Sequence, residues 1–148
     1  ISQAVSKRIA DAYQRESIVI HPPVDTDRFT PSPKRENFYI TVTRLVAHKR
    51  VDILVRAFSQ IKFPLVIVGE GPELPRLRNL AGPNITFLGY QPDEEVDKLL
   101  AKARGFVCAT EEDFGIAIVE AQAAGRGAGG TRNMAVRPCC ISIQYCIH

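Results

Sequence analysis

The sequence predicts an α/β fold, a Rossmann-like doubly wound parallel sheet, on three observations. Strand-like apolar runs alternate with segments of helical period four times between Phe38 and Ala124. One of those runs, Leu65-Val-Ile-Val68, is apolar at every position, as strands buried on both faces are. The turns between elements are short, which favours right-handed crossovers between parallel neighbours.

Taken in order, Ser2 to Tyr13 reads as an amphipathic helix with Val5, Ile9, Ala12 and Tyr13 on one stripe, and Ser17 to His21 as a short strand. Residues 22 to 33 hold four prolines, which donate no ladder hydrogen bond and bias their predecessors toward extended backbone. That makes a stiff linker and a boundary. Phe38 to Thr43 is rich in β-branched and aromatic residues, hence a strand. Val51, Leu54, Val55, Phe58 and Ile61 then repeat at helical spacing. Leu65–Val68 ends at Gly69-Glu-Gly-Pro72, with Pro72 suited to the first turn of a helix reaching about Leu80. Ile85 to Leu88 is a strand, Asp93 to Ala103 a helix capped by Asp93, Gly105 to Ala109 a strand and Ile116 to Ala124 a helix. The pattern stops at Gly125. The division expected is 1–36 as the end of a preceding domain with its linker, 37–125 as the binding domain, and 126–148 as an atypical tail.

Composition narrows the function. With 148 residues, 45% of them hydrophobic, one domain can bury a sizeable core. A net charge of +3 without a dense Lys/Arg run gives no footprint for nucleic acid. No run is long enough to span a membrane, and the start lacks the layout of a signal peptide. The sequence opens at Ile1 without methionine and reads as a piece of something longer. Cys108 lies in a strand-like run and the other cysteines fall in the last ten residues, so a disulfide framework is not indicated and a reducing cytoplasm is expected. Cys139, Cys140, Cys146 and His148 lack the paired spacing of a zinc site, and no metal is assigned.

The segment from Cys108 to Gly125 carries the chemistry. Glu111, Glu112 and Asp113 crowd one turn, and Glu120 is the sole ionisable group in the helix that follows. A charge among apolar neighbours needs a partner. At the first βα junction, Arg44 follows the strand and Lys49 precedes the helix, at the sheet edge where ligands bind. A guanidinium fork and an ammonium suit a diphosphate. Glu112 and Glu120, unable to hold phosphate, would accept hydrogen bonds from sugar hydroxyls. The amides of Phe114, Gly115 and Ile116, at a helix start, offer further donors. The set forms a site for a nucleoside diphosphate sugar. Each member also has an ordinary reading: Arg44 or Lys49 as a solvated loop charge, Glu112 as a helix-start charge, Glu120 as the partner of a nearby Arg. His48 reads as a loop histidine, and the glycines around Glu70 as turn residues.

These motifs resemble the retaining glycosyltransferases of the GT-B fold, family 4, the group 1 glycosyl transferases. Arg44-Leu-Val-x-x-Lys49-Arg50-Val-Asp52 is similar to that family's phosphate-binding segment, and Val68-Gly-Glu-Gly-Pro72 and Phe87-Leu-Gly-Tyr90 to its next two strand ends. Glu112-Asp-Phe-Gly-Ile-Ala-Ile-Val-Glu120 resembles its paired-glutamate signature, and His21-Pro-Pro-Val-Asp25-Thr-Asp-Arg-Phe29 its interdomain segment. The resemblance covers about residues 1 to 125.

It implies that Arg44 and Lys49 hold the donor diphosphate, Glu112 contacts the transferred sugar, Glu120 the ribose diol, and Gly89 and Tyr90 lie near the base. It implies hexose transfer from a nucleotide donor to an acceptor hydroxyl with retained configuration and no required metal or other cofactor. The acceptor would be a glycan or lipid-linked sugar held by an N-terminal domain of which only the last helix and strand are expected here, in a parent working in the cytoplasm at the inner face of the membrane. By analogy with bacterial mannosyltransferases of surface-polysaccharide pathways, the Glu-Asp-Phe-Gly variant points to GDP-mannose. Beyond Gly125 the family's next strand is skipped, so a truncated chain, not competent alone, is expected. The alternative is a non-catalytic module binding a nucleotide or nucleotide sugar. A receiver-like domain is disfavoured, because no acidic pair follows the first strand.

Overall fold

The structure, a computed structural model, describes residues 2–30, 32, 34–110, 112–125 and 140–142, the last three through their backbone. Its elements in chain order are α1 (Gln3–Tyr13), β1 (Tyr39–Val42), a 3-10 turn (Ala47–Lys49), α2 (Val51–Ile61), β2 (Leu65–Val68), α3 (Leu74–Leu80), β3 (Ile85–Gly89), α4 (Asp93–Lys102), β4 (Gly105–Cys108), α5 (Ile116–Gly125) and β5 (Cys140–Ser142). All the strand pairs are parallel, in the spatial order β3-β2-β1-β4-β5. The predicted doubly wound Rossmann-like sheet is therefore the fold observed.

The period-2 geometry of the strands explains how one sheet serves two cores. Leu65 and Ile67 of β2 and Val107 of β4 join Leu54, Val55 and Phe58 of α2 and Leu77 of α3. Ile40 of β1, Val68 of β2 and Phe106 of β4 join Val96 and Leu100 of α4 and Ala121 and Ala124 of α5 on the opposite face. An uninterrupted apolar run such as Leu65–Val68 is what two-sided burial requires.

Chain order gives the site its place. From β1 the chain steps outward through β2 to β3, then returns so that β4 lies on the other side of β1, with Tyr39 opposite Gly105 and Ile40 opposite Phe106. Strand order thus reverses between β1 and β4. In open α/β sheets the crevice beyond the carboxyl ends of such a strand pair is where ligands bind.

The structure corrects several local expectations. Ser17–His21 forms no strand with any of the described residues, and Ile18 is 89% exposed; β propensity without a neighbouring strand makes no ladder. Pro72 sits in the turn before α3, whose first turn instead contains Pro75. Asp93 is the first residue of α4 and not its cap. Pro92 holds the cap position, and Asp93, Glu94 and Glu95 favour the helix electrostatically from within its first turn. The proline-rich linker is docked, with Phe29 buried against α4 and α5. Of the tail, Cys140–Ser142 forms a parallel edge strand on β4, with Val107 opposite Ile141; the remainder of 126–148 lies outside the described residues.

Candidate functional site

The site begins where β1 ends. Leu45 is fully buried in the α2–α3 core, and the preceding Arg44 is exposed. The loop is fastened to the next strand end: the Leu45 N–H donates to the Glu70 carbonyl at 2.8 Å, and the Glu73 N–H to the Leu45 carbonyl at 3.0 Å. Fastening this close leaves no room for a side chain across the gap. A Cβ on Gly69 would stand 2.0 Å from the Thr43 carbonyl oxygen, and one on Gly71 2.3 Å from that of Leu45. The paired glycines thus serve a close backbone approach, and not only a tight turn.

Two hollows flank the end of β1, and Val42 and Thr43 line both. The first, about 440 Å³, opens between β1 and β4 at the reversal of strand order and is walled by Phe106, Cys108, Thr110 and the turn from Glu112 to Ile116. Lys49, presented by the 3-10 turn, reaches across it to Glu112. Its ammonium donates to Oε1 at 2.7 Å and Oε2 at 2.9 Å. The Thr110 hydroxyl donates to the same Oε1 at 3.0 Å. Both partners of the ion pair are largely covered, at 20% and 25% side-chain exposure, so it is screened less than a surface pair.

Phe114, Gly115 and Ile116 line this hollow too. Gly115 has φ +79°, a backbone conformation that strains a side-chain-bearing residue. Its carbonyl accepts from the Ile118 and Val119 N–H groups as α5 starts, leaving the amides before them without a partner in the helix. Burial pushes the Cys108 thiol up from its ordinary value, Glu112 adds to this, and Lys49 opposes it. His21 and the Phe114 ring lie 5.5 Å apart, and Arg8 of α1 pairs with Asp113, so the N-terminal segment braces this turn. Glu111 lies outside the described residues.

The second hollow, also about 440 Å³, lies beyond β1 and β2 and holds Arg44, Glu70, Tyr90, Asp93 and Glu120 together with Arg28 of the linker. Among the described residues no carboxylate pairs with Arg44. Glu120 has a counter-ion: Arg28 Nη2 donates to its Oε1 at 2.9 Å. The same nitrogen lies 3.2 Å from Asp97 Oδ1, and Nη1 lies 3.9 Å from Asp93 Oδ2. Burial raises the Glu120 carboxyl above its ordinary value; Arg28 works against this, while Asp97 and Asp93 add to it. Asp97 is raised in the same way, first by burial. Tyr90 projects into solvent, and its N–H donates weakly to Glu70 Oε1 at 3.3 Å. Gly89 lines neither hollow; its carbonyl accepts from the Gly69 N–H at 2.7 Å.

The sequence-predicted residues are therefore sorted into two sets about one strand end: Lys49, Glu112, Phe114, Gly115 and Ile116 on one side, and Arg44, Tyr90 and Glu120 on the other. Sequence reasoning left out Arg28, Asp97 and Thr110. Only Arg28 carried a signal, through its place beside Phe29 in the linker motif.

The doubly wound sheet, with cations and carboxylates gathered at its strand-order reversal, places the chain in the Rossmann-like class of α/β proteins. The particular family follows from sequence: residues 24–126 match the glycosyl transferases group 1, and the chain belongs to that family. It is 35% identical over 157 residues to the GDP-mannose-dependent alpha-(1-6)-phosphatidylinositol monomannoside mannosyltransferase of Mycobacterium tuberculosis strain H37Rv, covering 84% of this chain and 41% of that protein. It is 32% identical over 146 residues to the D-inositol 3-phosphate glycosyltransferase of Mycolicibacterium smegmatis, covering 83% of this chain and 33% of that one. The chain thus spans about two fifths or less of the length of these relatives.

Solved structures show the same fold. A point mutant of S. aureus TarM, in a complex that includes UDP, superposes with a TM-score of 0.70 at 20% identity, over 84% of this chain and 27% of its own. Sucrose-phosphate synthase from Thermosynechococcus elongatus gives 0.67 at 22% identity, over 84% and 38%. Among the described residues no helix is long and apolar enough to cross a membrane.

Proposed function

We propose that this chain is the donor-binding half of a retaining family 4 glycosyltransferase of the GT-B fold, taking a nucleoside diphosphate hexose. The observation that supports the reading is the crevice at the β1–β4 reversal with its neighbour: each hollow brings cations and carboxylates together from separate elements. Arg44 and Lys49 grip the diphosphate from either side of the β1 end, aided by the amides at the start of α5. Glu112 accepts hydrogen bonds from the transferred sugar and Glu120 from the ribose diol, with Gly89 and Tyr90 toward the base. Lys49 neutralises Glu112 at 2.7 Å, and on donor binding it shares its protons between carboxylate and phosphate. Fixed cations beside the departing diphosphate stabilise charge as it develops, so transfer needs no resident metal. GDP-mannose is the proposed donor, supported by the similarity to the mycobacterial GDP-mannose-dependent mannosyltransferases. The acceptor, a glycan or lipid-linked sugar, binds through a second domain, in an enzyme acting in the cytoplasm at the membrane's inner face.

Calorimetric titration with GDP, UDP, ADP and their sugars tests the site, with EDTA present in a parallel series. Binding that EDTA leaves unchanged is expected, and Arg44→Ala should weaken it by about 1–3 kcal/mol, the worth of a charge-assisted bond. The site is wrong if no nucleotide binds, or if Arg44→Ala and Glu120→Ala both bind as the parent does. A non-catalytic binding module would share this site; sugar transfer by a longer chain that carries the acceptor half separates the two.

A further inference from the structure

We propose that Arg28 is a positioning residue of the donor site: from a linker anchored by buried Phe29, it pairs with Glu120 at 2.9 Å and fixes that carboxylate for a cis-diol. The inference rests on the donor-site reading above and adds the residue that makes its diol contact work.

The geometry is built from both ends. Phe29 is buried among α4 and α5, so the backbone beside Arg28 is anchored. The Arg28 guanidinium carbon lies 4.8 Å from the centroid of the Phe29 ring, which confines the side chain from one side. Its nitrogens then meet three carboxylates from two helices: Glu120 of α5 at 2.9 Å, and Asp97 and Asp93 of α4 at 3.2 and 3.9 Å. Without the guanidinium those carboxylates would lie near one another with no cation between them, and Asp25 acts on Asp97 as well. Arg44 and Glu70 line the same hollow.

A carboxylate receives a diol by accepting two hydrogen bonds, which it does well only when ionised and fixed in orientation. Burial, Asp97 and Asp93 all work to protonate Glu120, and Arg28 is the cation that opposes them. Only one carboxylate oxygen of Glu120 is bound by Arg28, so accepting capacity remains for a ligand. The linker is thereby wired to donor occupancy: whatever displaces residues 28 and 29 also releases Glu120.

The test is a calorimetric comparison of GDP with 2′,3′-dideoxy-GDP, and of UDP with its dideoxy form, on the whole chain and its variants. The unsubstituted chain should prefer the ribonucleotide by about tenfold, the factor that one charge-assisted hydrogen bond of roughly 1.4 kcal/mol carries. Arg28→Met should remove most of that preference by weakening ribonucleotide binding alone, and Arg28→Lys should restore part of it. Glu120→Gln should do the same as Arg28→Met, and the two together no more than either, because they act through one contact. In Arg28→Met the residual preference should grow as pH rises and Glu120 ionises. Equal weakening of both nucleotide forms means a merely structural Arg28 and overturns the proposal, as does an unaltered preference. If the unsubstituted chain binds no nucleotide, the donor-site reading itself fails and the role of Arg28 falls with it.

Discussion

Gly69→Ala tests whether the close approach between the ends of β1 and β2 limits both stability and binding. The added Cβ would lie 2.0 Å from the Thr43 carbonyl oxygen, against the 3.0 Å below which such contacts essentially never fall. One backbone must therefore retreat by about 1 Å. Residue 69 also has φ +127°, which a side chain resists. The left-handed region costs an L-residue roughly 1–2 kcal/mol, and forced backbone shifts in packed regions about 1–3 kcal/mol. Together these give about 2–5 kcal/mol, or a fall in melting temperature of roughly 6–15 °C at this chain length. Because Thr43 borders both hollows, nucleotide affinity should fall as well. Gly89→Ala is the internal control: φ there is +70°, yet the nearest contact of its Cβ would be an ordinary 3.5 Å to Glu70 Oε1, so only the strain applies. Thermal melting by circular dichroism, with nucleotide titration of both variants, reads the difference. A Gly69→Ala protein that melts no lower than Gly89→Ala refutes the close-approach argument.

Two more outcomes are expected. Lys49→Met strips Glu112 of its cation, so calorimetry should record donor binding weakened by about 1–3 kcal/mol, with Lys49→Arg retaining much of it. Glu120 and Asp97 are raised acids: the folded state binds their protons more tightly than the unfolded state does. Their contribution to stability is therefore most favourable at low pH. It diminishes as pH rises from the ordinary carboxylate range through the raised folded values. The melting temperature of the parent relative to Glu120→Gln should accordingly fall over that interval; a constant difference would show that Glu120 is not raised.

What could be read from the sequence depended on how local its cause was. β2 and α2 were legible to the residue, because burial on both sheet faces forces an unbroken apolar run and burial on one helix face forces the spacing of Val51, Leu54, Val55 and Phe58. Ser17–His21 has strand-like residues, but a strand is made by its neighbour, and residue types alone do not supply one. The position before α4 misled for a subtler reason: an aspartate can cap a helix or sit in its first turn, and Pro92 took the cap. The charges Lys49 and Glu112 drew notice because each precedes a helix, and Glu120 because it is the one ionisable group in an otherwise uncharged helix. Their pairings were not recognisable, since Lys49 and Glu112 are 63 residues apart and Arg28 and Glu120 are 92 apart. Arg28 looked like linker: its one signal was its place beside Phe29 in the motif, and only the fold shows that ring to be a core residue.

The strip of β1 end formed by Val42 and Thr43 has a consequence for ligand shape. A molecule that fills both hollows must arch over those two residues, with one end on each side. Its halves then touch largely separate sets of side chains. A sugar-like fragment and a nucleoside-like fragment should be able to sit in the protein at the same time, each indifferent to the other. Joining them would add affinity mainly through the linkage, and a bridge too short to clear the strip would hold only one end.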